Sequence, residues 1–189
     1  MPRAGLTAAA VVERAAQMLD NRSSDRLNLA DLAESFGVRV PSLYKHIDGM
    51  PGLQRGIMIR AKSSLARTLG EAAIGRSRDD AITSMSFAYR RWALEHPGQY
   101  PLTTHAPIPG DADDLKASES IVDVVFNVLS GYDLRDDDAV DATRFLRSAL
   151  HGFVALETGG GFGLPVDLER SYLRLVESVV TALASWSRP

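Results

Sequence analysis

Five side chains that can hold a phosphate or a base edge lie within eight consecutive positions of this chain. They are Arg39, Ser42, Tyr44, Lys45 and His46. Guanidinium and ammonium groups neutralise phosphate, whereas hydroxyl and imidazole groups form hydrogen bonds with phosphate oxygens or with base edges. This combination of residue types predicts a surface that contacts a nucleic acid.

Two short predicted helices within residues 29–47 must position these side chains. Ala33, Gly37 and Leu43 stand four and six positions apart. A small residue lets two helices approach, a glycine makes the tight turn, and an aliphatic residue holds the second helix against the first. The spacing predicts a helix-turn-helix whose second helix covers 40–46. An ordinary helical hairpin with a polar outer face is the alternative that spacing alone leaves open.

Helical periodicity continues over the rest of the chain, and no segment shows the convincing alternation of a strand. We therefore expect an all-α fold of about nine helices. The longer helices are expected at 51–73, 79–96, 111–129, 136–157 and 167–186.

Charge is distributed unevenly along the chain, although its net value is only −3. Residues 1–78 carry 12 Lys and Arg against 7 Asp and Glu, whereas residues 79–189 carry 9 against 17. The first part, at +5, suits a polyanionic partner and the second, at −8, does not. Chance variation along a solvated surface is the alternative explanation.

The composition and motifs argue against an enzyme, a secreted protein and a membrane protein. The chain has no cysteine, which excludes disulfides and thiolate chemistry. Its four histidines show no His-Glu-x-x-His spacing, and no Gly-x-x-x-x-Gly-Lys phosphate loop is present. No apolar run reaches the roughly 18 residues of a membrane span. We expect a cytoplasmic protein without enzymatic activity, metal or cofactor.

Within 29–47, the heptapeptide Pro-Ser-Leu-Tyr-Lys-His-Ile follows Leu-Ala-Glu-Ser-Phe-Gly-Val. These residues resemble the DNA-binding signature of the tetracycline-repressor (TetR) family of transcription regulators, and the likeness covers about residues 7–70. The resemblance implies a recognition helix with Tyr44 and His46 near the backbone of double-stranded DNA and base contacts just before them. With the charged side chains above, the expected DNA-binding set is Asn28, Arg39, Val40, Pro41, Ser42, Tyr44, Lys45 and His46.

The chain departs from the family signature at two positions. Ile47 replaces the usual Phe or Val, and Met50 replaces a lysine that the resemblance implies as a phosphate contact. Arg55 is close in sequence and could substitute, unless its place on the helix directs it elsewhere. We therefore expect modest DNA affinity or a shallow salt dependence, and a slope of log affinity against log salt far steeper than about −6 for a dimer would contradict this expectation.

Beyond residue 79, the segments 92–100, 151–153 and 161–166 resemble one variant of the family's sensor domain, which contains a Trp and a His-Gly pair. The resemblance implies that the last two helices pair with those of a second copy. Their length and strong apolar stripes agree with a four-helix homodimer interface, and packing within one monomer is the alternative. The expected interface residues are Leu146, Leu150, Phe153, Leu175, Val176, Val179, Leu183 and Trp186.

The resemblance also implies a helix-turn-helix domain in 1–50, a connecting helix over 51–73, and a ligand-sensing and dimerising domain in 74–189. Aromatic and histidine side chains of the last domain could line an apolar cavity with a few polar tips. They are Tyr89, Trp92, His96, Tyr100, His105, Phe126 and Phe145. The expected function is a repressor that a small-molecule effector releases from a palindromic operator. The alternative is a helical small-molecule-binding or interaction module without specific DNA binding.

Overall fold

The computed structural model describes residues 6–21 and 27–186 of the chain. This described part contains eight α-helices, two short 3₁₀ helices and no strand, so the expected all-α fold is confirmed. The α-helices are α1 (Ala8–Asn21), α2 (Leu29–Ser35), α3 (Val40–Leu43), α4 (Gly49–Ala73), α5 (Arg78–Glu95), α6 (Ala112–Leu129), α7 (Asp136–Thr158) and α8 (Leu168–Trp186). The 3₁₀ helices are Tyr100–Thr104 and Ser130–Tyr132. No helix in the described residues is long and apolar enough to cross a bilayer.

The helices belong to two compact units, and each unit is built from two separate stretches of sequence. Among the described residues, the N-terminal unit comprises 6–21, 27–63 and 96–117, and the C-terminal unit comprises 64–95 and 118–186. The division therefore falls within α4 and within α6. The segment 96–117, which the expected boundaries assign to the sensor domain, groups with the helix-turn-helix.

The N-terminal unit has a core to which its first four helices all contribute. Val11, Leu32, Leu43 and Leu53, one from each helix, have no exposed surface. Helix α1 begins where the Thr7 hydroxyl accepts the backbone N–H of Ala10 at 3.1 Å, which is the contact of an N-cap. This shared core fixes the positions of α2 and α3.

One carboxylate attaches the turn after α5 to the end of α1. Asp20 accepts the backbone N–H groups of Gly98 at 3.1 Å and Gln99 at 3.0 Å. Nδ1 of His96 lies 2.8 Å from the other oxygen of Asp20. A Cβ atom at Gly98 would lie 2.2 Å from the carbonyl oxygen of Leu19, so only glycine allows this close approach. The predicted sensor residue His96 is therefore part of the N-terminal unit.

The C-terminal unit is centred on α5, α7 and α8, which pack against one another. Arg90 of α5 is 6% exposed and donates to both carboxylate oxygens of Glu157, at 2.6 and 2.7 Å. It also donates to Glu169 of α8 at 2.8 Å. The Tyr172 hydroxyl donates to the carbonyl of Ser86 at 2.7 Å, and burial raises the pKa of this tyrosine. One guanidinium thus joins all three helices.

The sequence predicts an inner apolar stripe on α6, and the structure buries part of it. The predicted members are Leu115, Ser118, Ile121, Val122, Val125 and Leu129. Val125 and Leu129 are buried and Ile121 is half-buried, whereas Leu115 and Val122 are 46% and 39% exposed. Leu115 and Val122 stand seven positions apart on one edge of the stripe, so periodicity predicts the buried face but not its limits.

Candidate nucleic-acid interface

The turn between α2 and α3 has the geometry of a helix-turn-helix. Asn28 caps the start of α2, because its Oδ1 accepts the backbone N–H of Asp31 at 2.8 Å. After α2 the chain turns at Gly37, whose φ of +64° is a conformation that side-chain-bearing residues rarely adopt. The N–H of Val38 then donates to the carbonyl of Ala33 at 3.0 Å and closes the turn. Helices α2 and α3 pack directly against each other.

Helix α3 is shorter than the predicted 40–46. It ends at Leu43, and residues 44–46 form a turn in which the carbonyl of Leu43 accepts the N–H groups of both His46, at 2.8 Å, and Ile47, at 3.1 Å. Leu43 is fully buried and Ile47 is 8% exposed. Leu43 and Ile47 are therefore anchored in the core, and they hold the turn 44–46 between them in a fixed position.

The side chains predicted to meet DNA lie on the outside of this segment. Tyr44 is 58% exposed. Arg39, Pro41 and Lys45 are also exposed, and Val40, Ser42 and His46 are half-buried. Within residues 6–21 and 27–186, no carboxylate forms an ion pair with Arg39 or Lys45. The segment thus offers two cations and a phenol to a polyanion.

Both polar atoms of the Asn28 side chain form hydrogen bonds with the first turn of α2. Besides the bond from the N–H of Asp31, its Nδ2 donates to the carboxylate of Asp31 at 2.9 Å. The side chain is exposed but engaged within the chain, and its contact with DNA stays a prediction.

The start of α4 provides no cation in place of the lysine that the family resemblance implies. Met50 packs against the core of the N-terminal unit. Arg55 donates to Asp111 through Nε at 2.5 Å and Nη2 at 2.6 Å, and to Asp113 at 2.8 Å. These bonds raise the pKa of Arg55, and the hydrogen bond from Arg55 lowers the pKa of Asp111 to about 2. Arg55 is therefore paired with carboxylates at the start of α6, and whether it contacts DNA in place of the lysine stays a prediction.

The seven predicted effector-binding residues divide between the two units. His96, Tyr100 and His105 belong to the N-terminal unit. Tyr89, Trp92, Phe126 and Phe145 belong to the C-terminal unit.

Some of these seven side chains have structural contacts. The indole Nε1 of Trp92, which is 3% exposed, donates to Ser64 Oγ at 3.2 Å. The ring of Phe145 lies 5.5 Å from that of Trp186. Their role in binding an effector stays a prediction.

Five of the eight predicted interface residues are buried inside the single chain, which corrects their assignment. They are Leu146, Leu150, Val176, Val179 and Leu183, each at most 3% exposed. A side chain that is already buried in one subunit has almost no surface that a second subunit could cover. These residues therefore form the core of the single chain along α7 and α8. Of the other three, Phe153 and Leu175 are half-buried and Trp186 is 41% exposed.

Sequence reasoning missed a buried ion pair in the N-terminal unit. Lys62 Nζ of α4 lies 2.6 Å from Asp114 Oδ1 of α6, and their side chains are 1% and 0% exposed. The second oxygen of Asp114 accepts the backbone N–H of Ile108 at 2.8 Å. These partners are 52 positions apart, and no local pattern marks such a pair.

Comparison with known proteins relates the chain to one group of regulators. Residues 82–179 match the family described as "Tetracyclin repressor-like, C-terminal domain". The HTH-type transcriptional regulator Rv0681 of Mycobacterium tuberculosis is 39% identical over 158 residues, which are 83% of this chain and 72% of that protein. The HTH-type transcriptional regulator YobS of Bacillus subtilis is 32% identical over 187 residues, which are 96% of this chain and 95% of YobS.

The fold is also similar to that of ActR from Streptomyces coelicolor. Apo ActR superimposes with a TM-score of 0.71 at 17% identity and covers 97% of each chain. ActR in complex with (S)-DNPA gives a TM-score of 0.68 at 17% identity, covering 98% of this chain and 100% of ActR. At this level of identity the likeness concerns the fold alone.

Proposed function

The chain belongs to the TetR family of transcription regulators, and on that premise we propose that it is a repressor which a small-molecule effector releases from a palindromic DNA operator. The observation that carries the proposal is the helix-turn-helix of the N-terminal unit. It exposes Arg39, Tyr44 and Lys45 on a segment anchored by the buried Leu43. These residue types on a rigid turn suit binding in a major groove.

In this proposal each subunit places residues 40–46 in a major groove. Two subunits then read half-sites about 34–36 Å apart on one face of the duplex. Arg39 and Lys45 neutralise phosphates, Tyr44 and His46 bind the backbone, and Val40, Pro41 and Ser42 lie nearest the base edges. The operator is therefore expected to be palindromic.

The proposed homodimer uses the outer face of α7 and α8 instead of the buried stripe. On α7 this face carries Ser148, Gly152, Ala155 and Leu156, all exposed, with Leu156 at 51%. On α8 it carries Leu173, which is 42% exposed. Small residues allow two helices to approach closely, and the exposed leucines supply apolar surface for a partner to cover.

Regulation by an effector is supported by the similarity to ActR, which has been solved in complex with (S)-DNPA. An effector lowers operator occupancy only if it binds the DNA-free protein more tightly than the DNA-bound protein. For near-complete release, this difference in binding free energy must reach several kcal/mol. We propose no catalytic activity for this regulator and place it in the cytoplasm, where its operator would be accessible.

The test is binding of the purified protein to duplexes that flank its own coding sequence, measured by fluorescence anisotropy. Tyr44→Ala removes one backbone hydrogen bond per subunit. It should weaken binding to every duplex by about 2 kcal/mol per dimer, or roughly 30-fold. Leu164→Ala, which truncates a residue 83% exposed, is the matched control and should bind as wild type does.

Two outcomes would oppose the proposal. Full duplex affinity in Tyr44→Ala would mean that DNA does not meet this turn. Ligand binding without retention of any duplex at low salt would favour the alternative, an interaction module that does not bind DNA specifically.

A further inference from the structure

A cleft of about 430 Å³ opens in the C-terminal unit where α4 ends, α5 begins and α6 ends. Its apolar surface includes Gly70 and Ile74 from α4 and the turn after it, and Val124 and Val128 from α6. Ile74 is 72% exposed, so the cleft is open to solvent on that side. A volume of this size lies within the range of roughly 300–1,000 Å³ for small-molecule sites.

Two arginines that line the cleft give it a positive charge. Nη1 of Arg76 donates to the carbonyls of Ala72 and Ile74, each at 3.3 Å. Nη1 of Arg78 donates to the carbonyl of Gly131 at 2.9 Å. Among the described residues, neither guanidinium group donates a hydrogen bond through Nε or Nη2, so these donors remain for a ligand.

The lining contains no carboxylate to compensate these charges. Asp79, the residue next to Arg78, accepts the Tyr132 hydroxyl at 2.7 Å. The Arg78 guanidinium lies 4.9 Å from the centre of the Tyr132 ring, which holds it in place.

We propose that this cleft binds a small amphiphilic anion, a short apolar chain that ends in a carboxylate. The apolar tail of the ligand would lie on Ile74, Val124 and Val128. Its carboxylate would accept hydrogen bonds from Arg76 and Arg78. A planar carboxylate matches the fork of guanidinium donors, and apolar burial adds affinity that a bare anion lacks. None of the seven residues predicted to bind the effector lines this cleft, so the site is separate from them. Its occupation does not depend on the proposed repressor function.

The experiment titrates octanoate into the isotope-labelled protein and follows backbone NMR signals. Saturable shifts are expected at Gly70, Asn127 and Gly131, which line the cleft. Octanol, which lacks the charge, and acetate, which lacks the chain, should each bind at least roughly tenfold more weakly.

Two variants test the two parts of the site. Arg76→Gln removes one guanidinium and should weaken octanoate binding roughly tenfold. Arg67→Gln is the matched control, because Arg67 lies on α4 outside the cleft, pairs with Glu71 at 2.9 Å and is 65% exposed. It should bind octanoate as wild type does.

Gly70→Leu should abolish binding by filling the cleft. The first added atom meets Val124 Cγ2 at an ordinary 3.6 Å, so the variant is expected to fold. The proposal is overturned if octanoate does not saturate, if its shifts map elsewhere, or if octanol binds as tightly. Equal octanoate affinity in wild type and Arg76→Gln, or in wild type and Gly70→Leu, would overturn it as well.

Discussion

Arg55 shows how the partners of one side chain decide what it can contribute. Its guanidinium donates two bonds to Asp111 and one to Asp113. A phosphate would have to compete with two carboxylates that are already in place. The same pairing makes the stability of the N-terminal unit sensitive to acid.

Arg55→Gln should therefore lower stability in a way that depends on pH. The hydrogen bond from Arg55 lowers the pKa of Asp111 from 3.8 to about 2. A carboxylate with a lowered pKa stabilises the folded state above its unfolded pKa, and that contribution is lost as the pH falls through the folded value. The urea midpoint of Arg55→Gln should lie below that of wild type at about pH 6, and the difference should close between about pH 4 and pH 2.

Asp111→Asn should show the same closing difference, and Arg67→Gln should show little difference at any pH. If the difference in urea midpoint between wild type and Arg55→Gln stays constant down to about pH 2, the pairing of Arg55 with Asp111 is contradicted.

Single residues could be predicted where their role depends on near neighbours in sequence. Gly37 makes the turn between α2 and α3, and Leu43 packs α3 against α2, so their spacing in the sequence was sufficient to predict both roles. Arg55 was left undecided, because its partners lie 56 and 58 positions away. The exposure of Tyr44 follows from the burial of Leu43 and Ile47 on either side of it.

At the scale of elements, the buried pair Lys62–Asp114 joins α4 to α6 within the N-terminal unit. Two charges without exposed surface stabilise a fold only while both are present and hydrogen-bonded. Asp114 meets this condition through Lys62 on one oxygen and Ile108 on the other.

Lys62→Met should leave a buried carboxylate unpaired and cost about 3–5 kcal/mol in the free energy of unfolding, measured with urea. The double variant Lys62→Met with Asp114→Asn should recover part of this loss, because no charge remains and the amide oxygen still accepts the N–H of Ile108, although the buried amide NH2 is left without its own partner. Arg67→Met, on the exposed side of α4, should change stability by less than about 0.5 kcal/mol. A double variant no more stable than Lys62→Met would show that the charge is not the cause.

The limits of the long helices could be predicted, whereas the edges of the buried stripe on α6 could not. Helix α7 was expected at 136–157 and covers Asp136–Thr158, because glycines follow its last turn. Predicting α3 through residue 46 was wrong, since the helix ends at Leu43 and residues 44–46 form a turn. Capping and turn residues determine where helices stop, and tertiary packing determines which side is buried.

At the scale of the whole molecule, the proposed homodimer buries the outer face of α7 and α8 against a second copy. The strong stripes on these helices predicted buried surface, but sequence could not tell burial within one chain from burial between two. Leu183 illustrates this: it has no exposed surface in the single chain, so a charge there would disrupt the fold before any dimer.

Gly152→Arg tests the proposed dimer without disturbing the single chain. A Cβ at Gly152 meets no atom within 4 Å, and arginine has a higher helix propensity than glycine, so the monomer should remain folded. A guanidinium forced into a close helix contact should raise the dissociation constant of the dimer roughly 100-fold, measured by analytical ultracentrifugation. Glu119→Arg, at an exposed site on α6, should leave association unchanged. Unaltered dimerisation of Gly152→Arg would place the interface elsewhere.

The attachment of Gly98 and Gln99 to Asp20 has a consequence for anyone building hybrid regulators from this chain. A chimera joined after residue 50 or 73 would separate α1 from the turn that completes it and present Asp20 to a foreign loop. A graft intended to transfer operator specificity should carry 96–117 along with the front of the sequence. Failing that, the acceptor scaffold should offer a glycine where Gly98 passes Leu19.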